Sequence, residues 1–344
     1  MTTGHREPPR GEWRAVALGG GHGLHATLSA MRLLTDDVTA VVTVADDGGS
    51  SGRLRRELGL LPPGDLRMAL AALASDDAAG TRWSTLVQHR FGGTGALAGH
   101  AVGNLLLAGL MDTLGDPVAA LDEVAALLGV RGRVLPMSCD PLDIEAEVTG
   151  LGAPGNAPHL IRGQVAVAST PGRVRRVWLR PGEPRACPEA LAAIRDADVV
   201  VLGPGSWFTS VLPHLLVPEL RDALIASVAQ RIVVLNLAPE PGETAGFSPE
   251  QHLAVLSQHA PALRVDAVLA DVAAVSVPDR LYGAAAMMLS PGGRVHLAPI
   301  AAADPLVPRH DPAALAEALG VVMTGQRLGA GRRPVAADVA DRRT

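Results

Sequence analysis

The sequence contains no lysine, and all 30 of its basic residues are arginine. This absence excludes a Schiff-base lysine, a lysine general base and the phosphate-binding lysine of a Walker loop. A phosphate that is held by a cation must therefore be held by arginine or by a metal ion. Codon usage in a GC-rich genome is the simplest origin of the shortage, and the chemical exclusion is the same whatever the origin.

Aromatic residues and net positive charge are also scarce. Aromatics make up 2% of the chain, charged residues 19%, and the formal net charge is −5. Tight nucleic-acid binding is therefore not expected, because it needs a broad basic surface and, for single strands, aromatic stacking. Hydrophobic residues reach 48% of the chain, which is ample for a large buried core.

No apolar run is long enough to cross a membrane, and the first twelve residues lack the apolar centre of a secretion signal. The two cysteines, Cys139 and Cys187, are far apart in the sequence and have no metal-ligand spacing. We therefore expect a protein of the reducing cytoplasm that does not enter a membrane.

A glycine loop near the N-terminus separates a strand from a helix. The apolar run 14–18 has the length of a strand, and Leu24, Leu28 and Met31 then recur at helical spacing. Free amide groups and the positive end of the helix dipole meet at such a corner, so it is either an anion site or a tight turn. It is not the dinucleotide fingerprint, which requires glycine or alanine where Leu24 stands. The candidate ligand-binding residues are Gly19, Gly20, Gly21, His22 and Gly23.

Carboxylates and hydroxyls follow the second predicted strand, residues 38–44. In an open parallel sheet, neighbouring strands end at the same edge, so this loop is expected to face the glycine loop. Turn formation alone also explains an Asp-Asp-Gly-Gly sequence, and helix capping alone explains an aspartate before a helix. The candidates to contact a metal, a ribose or a sugar are Asp46, Asp47, Ser50 and Ser51, and Asp65 adds a third carboxylate just before the next predicted helix.

A second corner of the same kind follows the apolar stretch 199–202, which reads as a central strand of a parallel sheet. Its candidate ligand-binding residues are Gly203, Gly205, Ser206 and Thr209, with Asn236 at the end of the next strand. A further group, His100, Gly103 and Asn104, precedes an apolar helix. For a single histidine, a structural role and a functional role are both open.

Strands that alternate with helices predict a three-layer αβα sandwich, Rossmann-like, with a mostly parallel sheet. We expect one domain over residues 13–323, with a small antiparallel insertion at 130–180. Residues 1–12 are predicted to form a flexible leader and residues 324–344 a disordered tail.

Several motifs together resemble the gluconeogenesis-factor (YvcK) family, which is grouped with the 2-phospho-lactate transferases (CofD) in one superfamily. The resemblance covers about residues 13–320, and TVADDGGSSGRLRRELG is long enough to be specific. Two departures affect the ligand contacts: His22 stands where the family usually has threonine, and residues 237–240 are less polar than is usual. The matching segments are 19–23, 43–59, 61–67, 99–105, 202–210, 241–244 and 309–311.

The resemblance implies a site for a nucleotide sugar such as UDP-N-acetylglucosamine, with Arg309 at a position associated with that ligand. It also implies that Asp46 and Asp65 form the acidic site where the transferases hold a divalent cation. Mg²⁺ accepts such sparse carboxylate ligation when water and phosphate complete its shell. No cofactor is assigned with certainty.

Two functions follow from this resemblance. The first is a sensor that binds the nucleotide sugar and regulates carbon flux into cell-envelope precursors and cell shape through partner enzymes. The second is a metal-dependent transferase of a phosphate-bearing or uridylyl group, in which metal and arginine neutralise charge. Whether the protein is an enzyme stays open, and so does a homo-oligomeric state.

Overall fold

The computed structural model describes residue 11 and residues 13–152, 157–304 and 307–327. The expected leader, apart from Gly11, lies outside the described residues, and so does the expected tail from residue 328 onward. The last described helix ends at Arg327, so the first four residues of the expected tail are helical.

Ten strands and thirteen α-helices occur in the described ranges. The strands are β1 (Ala15–Gly19), β2 (Val38–Val42), β3 (Arg133–Pro136), β4 (Asp143–Thr149), β5 (His159–Arg162), β6 (Arg173–Arg180), β7 (Val199–Leu202), β8 (Gln230–Val234), β9 (Val265–Asp271) and β10 (Leu289–Ala298). The helices are α1 (Gly21–Met31), α2 (Gly49–Leu58), α3 (Pro63–Leu73), α4 (Ala78–Gln88), α5 (Val102–Leu114), α6 (Pro117–Leu127), α7 (Gln164–Ala168), α8 (Pro188–Asp196), α9 (Pro213–Leu216), α10 (Pro218–Ala226), α11 (Pro249–His259), α12 (Pro278–Ala286) and α13 (Pro312–Arg327).

Seven strands form one parallel sheet in the order β10-β9-β8-β7-β1-β2-β3. The central strands are buried on both faces, which is why their sequences are continuous apolar runs such as Val199–Leu202. Helices α1, α3 and α13 pack together on one face, and α8, α9 and α10 pack together on the other. The predicted three-layer αβα sandwich is confirmed.

The order of the strands reverses between β1 and β7. From β1 the chain continues outward to β2 and β3, whereas from β7 it continues in the other direction to β8, β9 and β10. Right-handed crossovers therefore place the helices of the two halves on opposite faces and leave a crevice between the loops that follow β1 and β7.

A smaller sheet of three antiparallel strands, in the order β5-β4-β6, is present as expected. Its strands run from Asp143 to Arg180, a narrower range than the expected 130–180. The difference arises because β3 pairs in parallel with β2 and is an edge strand of the main sheet.

Strand β10 was not predicted. Pro291, Gly292 and Gly293 interrupt its sequence, and the pairing of β10 with β9 is irregular between Leu289 and Arg294. Regular pairing resumes at Arg294, so tertiary contact with β9 overrides the local turn signal. The predicted capping box of α11 is confirmed, with Ser248 and Gln251 as its two members. Within the described residues, no helix is both long enough and apolar enough to span a membrane.

Candidate functional site

A crevice of about 580 Å³ opens at the carboxyl edge of the parallel sheet, where the strand order reverses. Predicted residues from four separate segments contribute to its walls. They are His22 and Gly23 from the first glycine loop, Gly205 and Asn236 from the loops after β7 and β8, and Arg309 before α13.

The two glycine loops touch each other. A Cβ atom on Gly23 would lie 2.3 Å from the Pro204 carbonyl oxygen and 2.6 Å from the Gly205 Cα. The Thr27 hydroxyl of α1 donates a hydrogen bond to the Gly203 carbonyl oxygen at 3.0 Å. The absence of a side chain at Gly23 is therefore what lets the corners after β1 and β7 form one wall of the crevice.

Asn236 holds the second loop in place from the end of β8. Its Oδ1 accepts a hydrogen bond from the Gly205 amide at 3.0 Å, and its Nδ2 donates to the Gly205 carbonyl oxygen at 2.9 Å. The side chain lines the crevice, and both of its polar atoms are hydrogen-bonded to the backbone of Gly205. Consequently, the Gly205 amide is already paired and is not a free donor for a phosphate.

The second corner leads into a helical turn, Trp207–Val211, and a carboxylate from a later segment of the chain binds to this turn. Glu243 is buried, accepts a hydrogen bond from the Phe208 amide at 2.8 Å and accepts another from the Thr209 hydroxyl at 2.9 Å. Burial, followed by the nearby charge of Glu240, raises the pKa of Glu243 to about 7. The predicted anion site at this corner is therefore occupied by Glu243, and Thr209 is buried away from the crevice.

Ser206, at the same corner, bonds to Glu240, and Glu240 lines the crevice. Burial raises the pKa of Glu240, and this hydrogen bond opposes the rise.

Asp46 and Asp65 form an acidic pair behind the first glycine loop. A Cβ on Gly20 would lie 2.5 Å from an Asp65 carboxylate oxygen, and a Cβ on Gly64 would lie 3.1 Å from an Asp46 carboxylate oxygen. Burial, then the negative charge of Asp46, raises the pKa of Asp65 to about 7, while a hydrogen bond from the Gly21 amide opposes the rise. Burial also raises the pKa of Asp46, whose Oδ1 accepts from the Gly48 amide at 2.8 Å.

Asp47 faces away from this pair. Its Oδ1 accepts a hydrogen bond from the Val165 amide at 2.9 Å, and a Cβ on Gly163 would lie 2.2 Å from its other carboxylate oxygen. Asp47 therefore caps the start of α7, which belongs to the antiparallel part of the fold. Adjacent aspartates thus have different surroundings, with Asp46 beside Asp65 and Asp47 at α7.

A chain of buried polar side chains joins α2, α3 and α5. The Ser50 hydroxyl lies 2.9 Å from His100 Nδ1 and accepts from Asn104 Nδ2 at 2.9 Å, while Asn104 Oδ1 accepts from Arg67 Nε at 2.8 Å. Burial, then the charge of Arg53, lowers the pKa of His100. The predicted residues His100, Ser50 and Asn104 thus support Arg67 from behind.

Gly103 allows this arrangement. A Cβ there would lie 2.9 Å from the Arg67 Cγ and 2.8 Å from the Val87 Cβ. Ser51 belongs instead to the acidic pair, since it hydrogen-bonds to Asp46. Gly19 is the last residue of β1, where a Cβ would lie 3.3 Å from that of Leu24.

The crevice is rich in positive charge although the chain as a whole is acidic. Arg67, Arg90 and Arg309 line it, and none of them forms an ion pair with another of the described residues. Burial and the charge of Arg90 lower the pKa of Arg67 to about 10, so it stays charged at neutral pH. Glu240 is the acidic residue among the lining residues, and three histidines also line the crevice: His22, His25 and His310.

The donor set for a metal is small. Asp46 and Asp65 bring two carboxylates together, and no cluster of three or more histidine, cysteine, aspartate or glutamate residues with metal-site geometry occurs in the described ranges. Two carboxylates fit Mg²⁺, which keeps several waters and takes phosphate oxygens, and they do not fit a zinc site. Asp46 and Asp65 would hold such an ion.

Several residues of the crevice and its surroundings were not predicted. Arg67 stands in the LPPGDLR motif, which the sequence analysis used for its aspartate alone, so the motif was a usable signal. Glu243 was visible in the PGET motif. Its role at the second corner was not visible there, because it depends on hydrogen bonds from residues 34 and 35 positions earlier in the chain. Arg90 and His25 had no signal, because neither belongs to a recognisable motif.

The fold and the crevice define a class: a three-layer α/β protein with a cationic crevice at the topological switch point of its sheet. The family model described as 2-phospho-L-lactate transferase CofD matches residues 15–287. A crystal structure of a UPF0052-family protein from Bacillus halodurans is similar with a TM-score of 0.77 and 34% identity, covering 90% of this chain and 99% of that one.

Two relatives show where in this class the chain falls. The gluconeogenesis factor of Bacillus subtilis is 38% identical over 268 residues, covering 78% of this chain and 81% of the relative. A relative from Mycobacterium tuberculosis, provisionally named as a gluconeogenesis factor, is 60% identical over 325 residues, covering 94% and 93%. The chain belongs to the CofD family and, within it, to the gluconeogenesis-factor (YvcK) branch.

Proposed function

We propose that the crevice binds a nucleotide sugar of the UDP-N-acetylglucosamine type, and that binding regulates carbon flux into cell-envelope precursors and thereby cell shape. The observation that carries the proposal is the set of three crevice arginines without ion-pair partners among the described residues: Arg67, Arg90 and Arg309. Arginines that line a concave surface without a carboxylate partner suit a ligand with more than one negative charge, such as a diphosphate.

The orientation of Arg67 supports this ligand class. Its Nε is held by Asn104, and Asn104 is held by Ser50, so the guanidinium is fixed before a ligand arrives. A fixed fork loses less conformational entropy on binding a phosphate than a free surface arginine does. The first turn of α1, with Gly23 at the crevice wall, adds the positive end of a helix dipole.

The size and the remaining walls suit a nucleotide sugar. The crevice volume of about 580 Å³ lies within the ~300–1,000 Å³ of small-molecule sites. Leu237, Ala238 and Pro239 form an apolar stretch of the wall against which a base or an acetyl group can pack. In this proposal the ligand-bound protein acts in the cytoplasm by contacting enzymes that make cell-envelope precursors.

The competing function is a metal-dependent transferase, and the acidic pair favours it. Asp46 and Asp65 repel each other in a partly desolvated place, and a divalent cation would relieve that repulsion. When bound, Mg²⁺ would neutralise the charge of a phosphate-bearing substrate, and Arg67, beside Asp65, would orient that substrate.

Isothermal titration calorimetry with UDP-N-acetylglucosamine, with and without Mg²⁺, tests the binding proposal. Arg309→Gln should weaken binding at least tenfold, since a hydrogen bond to a charged group is worth about 1.5–3 kcal/mol. Arg185→Gln is the matched control, because Arg185 is 85% exposed and outside the crevice. Equal affinities of wild type and Arg309→Gln would contradict the proposed site.

Product analysis separates the two functions. Incubation of the purified protein with the nucleotide sugar, Mg²⁺ and a phosphate-bearing acceptor should leave the nucleotide sugar intact if the protein is a sensor. Product formation that is lost in Asp65→Asn, while the nucleotide sugar is still bound, would show the transferase instead.

A further inference from the structure

Two thiols that are 48 residues apart in the sequence are neighbours in the fold. Cys139 follows β3, and Cys187 is the residue that precedes α8. The amide of Cys187 donates to the carbonyl oxygen of Met137 at 3.2 Å, which joins the two backbones beside the thiols. The two thiols are close enough for each to shift the pKa of the other.

The two cysteines differ in accessibility and in acidity. Cys139 is exposed and Cys187 is buried. The interaction with the Cys187 thiol lowers the pKa of Cys139, against burial and the nearby carboxylates of Glu189, Asp116 and Asp140. The same interaction and burial raise the pKa of Cys187. An accessible thiol with an acidified proton next to a buried thiol is the arrangement of an attacking and a resolving cysteine.

We propose that Cys139 and Cys187 form a reversible dithiol–disulfide couple that is oxidised by hydroperoxides. The proposal involves no residue of the crevice and does not depend on the proposed function. Cytoplasmic disulfides of this kind are transient and respond to oxidants, whereas structural disulfides are rare in that compartment.

The chemistry takes place in two steps. The Cys139 thiolate attacks the terminal oxygen of the hydroperoxide, an S–O bond forms, the O–O bond breaks, and the alkoxide or hydroxide released takes a proton from water. The Cys187 sulfur then attacks the Cys139 sulfur, the S–S bond forms, and the hydroxide leaves and is protonated to water. Two thiols are oxidised by two electrons, and the hydroperoxide is reduced to an alcohol or to water.

Glu189 assists the second step as a positioning residue and proton acceptor. Its Oε2 accepts a hydrogen bond from the Cys187 sulfur at 3.2 Å. In the reduced protein this S–H donates to Glu189 and also interacts with Cys139. Once Cys139 is oxidised it no longer accepts as a thiolate, and the Cys187 proton is left facing the Glu189 carboxylate.

Intact-mass spectrometry of the full-length reduced protein, treated with one equivalent of hydrogen peroxide, tests the couple. The expected result is the loss of two hydrogen atoms, a peptide that links Cys139 to Cys187, and full reversal by dithiothreitol. The bond would connect the end of β3 to the start of α8, so the melting temperature of the oxidised protein should rise by several degrees.

Variants assign the two steps. Cys187→Ser should accumulate a sulfenic acid at Cys139 that dimedone traps, and Cys139→Ser should stay reduced. In Glu189→Gln, the sulfenic acid at Cys139 should persist at least three times longer before the disulfide forms, and its rate of formation should not change. The exposed Glu183→Gln is the matched control and should behave as wild type.

Three results would overturn the couple. One is a wild-type mass that does not change, with both thiols alkylated after unfolding. Another is overoxidation of Cys139 to the sulfinic acid while Cys187 stays free, and the third is a disulfide between two protein molecules through Cys139. The wild-type peptide map decides among these even if Cys187→Ser does not fold.

Discussion

Gly23 of α1 and Gly205 of the loop after β7 are in van der Waals contact across the reversal point of the sheet, with 2.6 Å between an added Gly23 Cβ and the Gly205 Cα. This contact joins two segments that are 182 residues apart, and it brings the first corner of the chain to the second. The crevice wall depends on it, because any side chain at Gly23 would push the loops apart.

We expect Gly23→Ala to lower the free energy of unfolding by about 1–3 kcal/mol, because backbone atoms must move to accept the methyl group. Urea denaturation measures this change, and ligand affinity should fall as well. Gly92→Ala is the control, because no atom lies within 4 Å of a Cβ there. Equal stability of Gly23→Ala and Gly92→Ala would contradict the tight contact.

Asn236→Ala should destabilise the protein by about 1–3 kcal/mol, because the Gly205 amide and carbonyl groups lose their partner together. Asn236→Asp keeps the acceptor for the amide and loses the donor to the carbonyl oxygen, so its loss of stability should be smaller. Its added negative charge should still weaken binding of an anionic ligand. Urea denaturation and calorimetry on the two variants separate the structural effect from the electrostatic one.

Asp47→Ala should cost about 1 kcal/mol of stability, because α7 loses the carboxylate that caps it. The affinity for a nucleotide sugar should not change, since Asp47 is outside the crevice lining. Asp46→Asn, at the adjacent position, should instead alter the effect of Mg²⁺ on binding. A tenfold loss of affinity in Asp47→Ala would place Asp47 in the ligand site, as the sequence pattern predicted.

Glu243 makes the stability of the fold depend on pH. Its pKa is raised from an ordinary 4.5 to about 7, so the native state binds a proton that the unfolded state releases between these values. This contribution is fully present below about pH 4.5 and is lost as pH rises through about 7. This pKa shift corresponds to a contribution of about 3 kcal/mol at most to the free energy of unfolding.

Chemical denaturation at pH 5 and pH 8 measures this effect when wild type is compared with Glu243→Gln. Wild type should gain about 2 kcal/mol relative to the variant as the pH falls, well within the limit that the shift sets. The comparison removes the contribution of Asp65, which is present in both proteins and titrates in the same range. A difference that is constant between the two pH values would mean that Glu243 is charged in the native state throughout.

Much of the fold was predictable because its signals are local. Apolar runs of strand length followed by glycine placed both corners, and the Ser-x-x-Gln pattern at Ser248 placed a helix start. Strand β10 was missed because Pro291 and Gly292 are typical of a turn. Its pairing with β9 is a tertiary contact that the local sequence does not indicate. The candidate site was predicted in part for the same reason: the glycines belong to motifs, and Arg90 does not.

Contacts over long distances decided the parts of the site that the prediction missed. The two corners look equivalent in the sequence, yet the second contains Glu243, whose carboxylate accepts from the Phe208 amide 35 residues before it. Asp46 and Asp47 are likewise the same residue type at adjacent positions. Their surroundings in the fold differ, because neighbouring side chains leave the backbone in different directions.

The sequence by itself determined the class of fold, the two glycine corners and the restriction of cationic phosphate contacts to arginine or metal, since these follow from composition and from patterns of a few residues. The tertiary structure alone decided which amides of the corners are already paired, which carboxylate faces the crevice, and that Cys139 lies beside Cys187. The physical reason is that hydrogen-bond partners and burial depend on groups brought together by the strand order β7-β1-β2-β3, and no local pattern encodes that order.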